Sequence, residues 1–178
     1  LAVTMPSAAG LGGGGMCVVR DPNTQRVETL DFLGQNSSGS GRKILVPSNA
    51  RGIFALHAKF GKLEWRELIR PAENLARFGG QVSRAFAEDL RRAQGVLSAS
   101  KHGRKVFIGK NGKPLSEGVR LKQPDLASSL SRLRARGPAF LFAGTDGQIF
   151  AEEVRRIGFD LTYRDLKATR PIWRSTLR

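Results

Sequence analysis

Gly10-Leu11-Gly12-Gly13-Gly14-Gly15-Met16-Cys17-Val18-Val19-Arg20, then Asp21-Pro22-Asn23-Thr24, then Arg26-Val27-Glu28-Thr29-Leu30-Asp31-Phe32, is the stretch on which the fold is decided. Pro6 and the glycines stop any helix before residue 16. Met16–Arg20 is apolar and rich in valine, the composition of a strand. Asp21–Thr24 is turn chemistry. Arg26–Phe32 alternates, with Val27, Thr29 and Asp31 on one face and Glu28, Leu30 and Phe32 on the other. Two short strands around a tight turn predict a β-hairpin led by glycines.

Downstream the period changes. Leu33–Arg42 is rich in Gly, Ser, Asn and Gln and reads as a loop. Ile53, Phe54, His57 and Phe60 fall at helix spacing and stop at Gly61. Trp65, Leu68, Ile69, Leu75 and Phe78 continue it, with Pro71 as a kink or a new start. Ser83 caps a helix running to about Leu97. Ser98–Lys105 reads as a polar, basic connection, Val106–Ile108 as a short strand and Lys110–Pro114 as a turn. Helices are expected over Asp125–Arg136 and Ile149–Ile157. Thr162-Tyr163-Arg164-Asp165 is a capping box with Asp in the last place. A strand begins at Ile172-Trp173. The helices after residue 50 exceed what two hairpin strands can cover, so segments outside this chain are expected to complete the sheet. The expected class is α+β, helix-rich, as a single partial domain over residues 1–178.

Composition narrows the function. The 178 residues are 40% hydrophobic and 25% charged, a globular balance. No apolar run approaches the roughly 20 residues of a membrane span. A net charge of +15 invites nucleic acid. The basic residues are scattered over helix faces beside acids, however, and no aromatic platform interleaves with them, so a nucleic-acid module is the weaker alternative. Cys17, the lone cysteine, excludes an internal disulfide and reads as a buried, inert thiol. The start at Leu1 shows no signal peptide and fixes no compartment.

Motif chemistry gives no complete active site. The glycines lead into a strand with no following Lys-Ser/Thr, which excludes a P-loop; they are expected to let backbone pass close to another segment. His57 reads as a packed histidine and His102 as a solvated one. Two distant histidines and one cysteine lack metal-ligand spacing. There is no Gly-x-Ser-x-Gly elbow. Glu152-Glu153 and Glu88-Asp89 diverge on their helices. No catalytic, metal or cofactor-binding residue is assigned.

The order of segments carries more. The glycine-led hairpin ending in Leu30-Asp31 resembles that of γ-glutamyltransferases. Val46-Pro47-Ser48-Asn49-Ala50-Arg51-Gly52 is similar to that family's helix entry. Leu56–Leu63, Trp65–Ala76, Gly80–Ser83, Gly118–Ala127 and Leu161–Leu166 follow in the same order. The resemblance implies part of a four-layer αββα N-terminal-nucleophile hydrolase, made as one precursor that cuts itself. A Thr at the new N-terminus of a small subunit then attacks γ-glutamyl amides such as glutathione, using its own α-amine as base. That small subunit is the implied partner. A periplasmic or extracellular setting is implied too, and no cofactor.

Two departures from the family pattern bear on the substrate. Its Arg after Leu-Asp, which grips the substrate α-carboxylate, is replaced here by Leu33 or Gln35, depending on gaps. Its Gly after Pro47 is Ser48. Gln35 and Arg42 are therefore the candidate substrate-binding residues, and an inactive or acyl-shifted homologue is the alternative.

Overall fold

A computed structural model describes residues 1–175. Five strands and nine helices occur among them: β1 (Gly15–Arg20), β2 (Val27–Phe32), α1 (Asn49–Phe60), α2 (Trp65–Phe78), β3 (Gly80–Gln81), α3 (Arg84–Arg92), α4 (Gln94–Ala99), α5 (Lys101–Phe107), β4 (Arg120–Leu121), α6 (Pro124–Arg136), α7 (Ala139–Phe142), α8 (Gly144–Arg156), α9 (Tyr163–Ala168) and β5 (Ile172–Ser175). They fall into two compact units, Leu1–Gly10 with Arg66–Arg134, and Leu11–Trp65 with Ala135–Arg178.

The second unit holds the glycine-led hairpin. β1 and β2 pair antiparallel from Gly15↔Phe32 to Arg20↔Val27, and β5 adds to the far side of β2 with Leu30↔Trp173. The turn closes because the Asp21 carboxylate accepts from the Asn23 N–H (2.9 Å) and the Thr24 hydroxyl (2.8 Å). The predicted alternation holds: Leu30 and Phe32 are buried, facing α1. α1 is clasped to that face by Lys59–Glu28 (2.6 Å) and by Phe60 edge-on to Trp173 (5.8 Å). The opposite face carries Met16, Val18 and Ile172, all exposed. Cys17 is only half-buried, not buried as expected, because β1 is an edge strand covered on one side.

The first unit is helical, with β3 and β4 as a two-residue antiparallel pair. Val82, Phe86, Ala87, Leu90 and Leu121 form its core, joined by Leu97, Val106, Phe107 and Leu115. Glu73 is buried between Arg134 (2.7 Å) and Arg77 (3.0 Å). The Arg134 hydrogen bond, aided by Arg77, holds its carboxyl below the usual range against the opposing effect of burial.

Several expectations need correction. The helix capped by Ser83 breaks at Ala93 and resumes as α4. The basic stretch read as a connection is α5, and Val106 and Phe107 end that helix; only Ile108 is extended, bridging to Pro114. Packing decides this, since Phe107 sets its ring edge-on to Phe86 at 6.0 Å. α8 starts at Gly144, five residues before Ile149. α2 runs through Pro71 as one helix. His57 is a packed histidine, with Nε2 2.8 Å from the Leu63 carbonyl and its ring against Trp65.

Candidate functional site

The candidate site is built where the glycine run, the end of β2 and the start of α1 cross. The Gly13 carbonyl accepts from the N–H groups of Ser48 (3.0 Å) and Asn49 (2.9 Å), two donors that the first turn of α1 cannot satisfy itself. A Cβ on Gly14 would lie 2.6 Å from the Phe32 carbonyl oxygen, 2.7 Å from the Gly34 nitrogen and 2.8 Å from Ser48 Oγ. A side chain at Gly52 would overlap the Phe32 ring. The glycines thus serve close backbone approach, as expected. Ser48, where the family pattern has glycine, is buried and donates its hydroxyl to the Phe32 carbonyl. It ties the end of β2 to the entry of α1.

From this crossing a loop leaves β2. Asp31 Oδ1 accepts from the Leu33 N–H (3.1 Å), starting the bend, while Oδ2 pairs with Arg174 (3.3 Å). Leu33 is 56% exposed. The loop then folds on itself. Gln35 accepts from the Val46 N–H (2.8 Å) through its carbonyl, Asn36 bridges Leu45, and Ser37 donates its N–H to the Ile44 carbonyl (2.9 Å). Ser37 Oγ accepts from the Ile44 N–H in return. The Gln35 side chain is exposed beside this closure.

The loop tip is held from below by the segment leading into α9. The Ser38 N–H donates to Asp165 Oδ1 (3.1 Å) and the Gly41 N–H to Asp160 Oδ2 (3.0 Å); the Asp160 N–H donates back to the Arg42 carbonyl (2.8 Å). Asp165 is buried and completes the predicted capping box, accepting from the Thr162 N–H (2.9 Å) and hydroxyl (2.7 Å). Burial raises its pKa, but the hydrogen bonds from Ser38 and Thr162 outweigh that, so its carboxyl stays below the usual range. The Arg42 guanidinium lies 4.4 Å over the Phe159 ring. Stacking uses its face and leaves the N–H edges, which take no hydrogen bond among the described residues. Gln35 and Arg42 therefore lie on the same loop with different neighbours, Gln35 at its closure and Arg42 at its tip.

Below the loop, Arg51 on α1 donates to the carbonyls of Leu166 (2.9 Å) and Thr169 and stacks on Phe142 at 4.0 Å. Burial, with Arg170 nearby, pushes its pKa down to about 10, so it remains charged at neutral pH. Arg51, Asp160 and Phe159 were not singled out in the sequence. Their roles depend on a pairing between residues 38–51 and 159–169 that no local motif announces. Among the described residues no group of His, Cys, Asp and Glu is placed to hold a metal ion, and no helix is long and apolar enough to cross a membrane.

Comparison with known proteins identifies the family and the fold. The family model described as gamma-glutamyltranspeptidase matches residues 1–178. The glutathione hydrolase proenzyme of Escherichia coli is 30% identical over 99% of this chain, and glutathione hydrolase 2 of Arabidopsis thaliana is 27% identical over 94%. The chain spans about a third of the length of these relatives, 34% and 31%. The structure of Helicobacter pylori gamma-glutamyltranspeptidase superposes with a TM-score of 0.91 at 25% identity, covering 99% of this chain and 56% of that one. A cephalosporin acylase from Bacillus halodurans shares the fold alone, at a TM-score of 0.86 and 17% identity. The α+β portion of an N-terminal-nucleophile hydrolase sandwich is thus the architecture present, and the chain belongs to the gamma-glutamyltranspeptidase family.

Proposed function

We propose that this chain is a large-subunit portion of an enzyme that hydrolyses or transfers γ-glutamyl, or closely related acyl, groups from amides. The observation that carries the reading is the likeness of the whole chain to proenzymes about three times as long. The open sheet face supports it: Met16, Val18 and Ile172 are 55%, 68% and 42% exposed, and an apolar sheet face calls for a second layer. The small subunit is the proposed source of that layer and of the Thr nucleophile. Its α-amine would take the hydroxyl proton as the Thr attacks the amide carbon, giving an acyl enzyme that passes to water or an amine.

This chain's contribution is the loop 33–46. Arg42 is the guanidinium the loop offers to a substrate carboxylate, with its face on Phe159 and its N–H edges available for a bidentate grip. Gln35 adds a neutral amide at the loop's closure. The second reading, an inactive or acyl-shifted homologue, is favoured by the two candidate positions of the missing cation, Leu33 and Gln35, both exposed and both uncharged.

Expression of the full-length protein tests both. Mass spectrometry should find cleavage immediately before a Thr, and a γ-glutamyl anilide should be turned over. A product that remains uncut and silent overturns the first reading. A product that is cut but silent on γ-glutamyl anilide and active on a neutral acyl anilide selects the second.

A further inference from the structure

The charge excess is segregated. Between Arg91 and Lys122 there are nine Lys and Arg residues and one acid, Glu117. This stretch runs from the end of α3 through α4 and α5 to the entry of α6, within the first unit. Its arginines are largely engaged. Arg91 and Arg92 share Glu88, Arg104 donates to the Ser98 carbonyl, and Arg120 reaches the Phe78 and Gly79 carbonyls. Lys105 pairs with Asp125 at 3.4 Å. Lys101, Lys110, Lys113 and Lys122 remain, all exposed and in no ion pair among the described residues.

Lysine is a compact, mobile point charge, suited to a diffuse layer of anions more than to fork-shaped recognition. The stretch also exposes Val96 (77%) and Val119 (38%), while its one aromatic, Phe107, is packed on Phe86. Exposed lysines outside any ion pair and exposed aliphatic side chains within one stretch fit an anionic lipid surface, where headgroups meet the charges and the acyl boundary takes the valines. A single-stranded nucleic acid would want exposed aromatic platforms for its bases, and this stretch exposes no Phe, Tyr or Trp.

We infer that the α4–α5 region, with Lys101, Lys110, Lys113, Lys122 and Val96, is a peripheral docking surface for anionic phospholipid membranes. The association is independent of the acyl-transfer reading. The full-length protein should co-sediment with vesicles of phosphatidylcholine containing 30% phosphatidylserine at 0.1 M salt. It should not do so with phosphatidylcholine alone, nor at 1 M salt, where the screening length falls to about 3 Å. Each lysine near such a surface is worth roughly a fivefold change in affinity, so the Lys101→Gln, Lys110→Gln, Lys113→Gln, Lys122→Gln variant should bind on the order of several hundredfold more weakly. A variant losing four charges elsewhere (Arg26→Gln, Lys62→Gln, Arg155→Gln, Arg164→Gln) should bind as the wild type does. Val96→Ser should weaken vesicle binding about tenfold. Circular dichroism establishes that each variant is folded. The inference is overturned if the wild type does not sediment, if it binds neutral vesicles equally, or if the control variant loses as much. It is overturned equally if duplex DNA or single-stranded RNA is bound more tightly than the anionic vesicles and without dependence on Val96.

Discussion

Asp165→Asn should loosen the candidate site without touching it. In the wild type one carboxylate oxygen accepts from the Ser38 N–H at 3.1 Å, and the other accepts from the Thr162 N–H at 2.9 Å and the Thr162 hydroxyl at 2.7 Å. An amide has one oxygen. If it faces Thr162, its NH2 meets the Ser38 N–H, donor against donor; if it faces Ser38, the capping box is lost. A hydrogen bond to a charged group contributes about 1.5–3 kcal/mol, and a helix cap about 1 kcal/mol. The variant should therefore lose about 2 kcal/mol locally, and Asp165→Ala about 3 kcal/mol, as all three bonds go. The readout is amide hydrogen exchange in the full-length protein, where 2 kcal/mol is roughly a 30-fold loss of protection over residues 37–44 and 162–166. The pH dependence supplies a second arm. Folding lowers the Asp165 pKa, so its stabilisation is complete above the ordinary aspartate value of 3.8 and vanishes as pH falls through the lower folded value. Protection in the wild type should fall across that acid window and in Asp165→Asn should not. Unchanged protection at pH 7 in the variant, or an identical acid profile, would refute the view that Asp165 holds the loop.

Other substitutions test neighbouring parts of the structure. Gly14→Ala should cost about 1–3 kcal/mol in denaturant unfolding, because its Cβ would press on backbone at Phe32 and Gly34; Gly12→Ala, with nothing within 4 Å, should be neutral or slightly stabilising. Glu73→Ala should lower stability by about 1–2 kcal/mol, since Arg134 and Arg77 lose their shared carboxylate while each keeps part of its own hydration, and thermal unfolding measures it. If the loop takes a substrate carboxylate, Arg42→Ala should raise KM for a γ-glutamyl anilide about tenfold or more with little change in kcat, and Leu33→Arg should raise kcat/KM.

The legible parts of this chain were those fixed by near neighbours. The hairpin is spelled out by its turn and by the alternation of Leu30 and Phe32, and the box of Thr162 with Asp165 by a spacing of three. α5 was missed because its local pattern is weak and its Phe107 packs on Phe86, 21 residues earlier. Lys101-His102-Gly103-Arg104-Lys105 has poor helical patterning and a glycine in the middle. That glycine is there because a Cβ would come 2.6 Å from the Leu97 carbonyl, where α4 ends, and Ser100 caps the turn by accepting from its N–H at 3.2 Å. α8 was shortened for the same reason. A Cβ on Gly147 would come 3.1 Å from the Tyr163 ring, whose hydroxyl accepts from the N–H of Gly144. Glycines that lower local propensity are here demanded by backbone or a ring that packs against them, six residues earlier for Gly103 and sixteen later for Gly147.

The candidate site divides along the same line. That glycines lead the hairpin was plain in the sequence, and their function as a backbone crossing followed from the absence of a lysine after them. What could not be read was how the loop after β2 is held. Ser48 in place of glycine looks like a loss until its hydroxyl is found on the Phe32 carbonyl, and Arg42 looks like one more surface cation until Phe159 lies under it. Both facts point one way. They show a loop whose path is set by contacts beyond its own sequence, with Asp160 and Asp165 under its tip. Those carboxylates accept backbone N–H groups from Ser38 and Gly41, which fixes the loop's path but leaves side chains on the outer side free. The Arg42 guanidinium, stacked on Phe159 and taking no hydrogen bond among the described residues, is a charged group this loop leaves exposed. If a substrate carboxylate meets Arg42, Arg42→Ala removes that contact and Leu33→Arg offers a second cation, so the paired measurements decide whether the loop binds the acyl group at all.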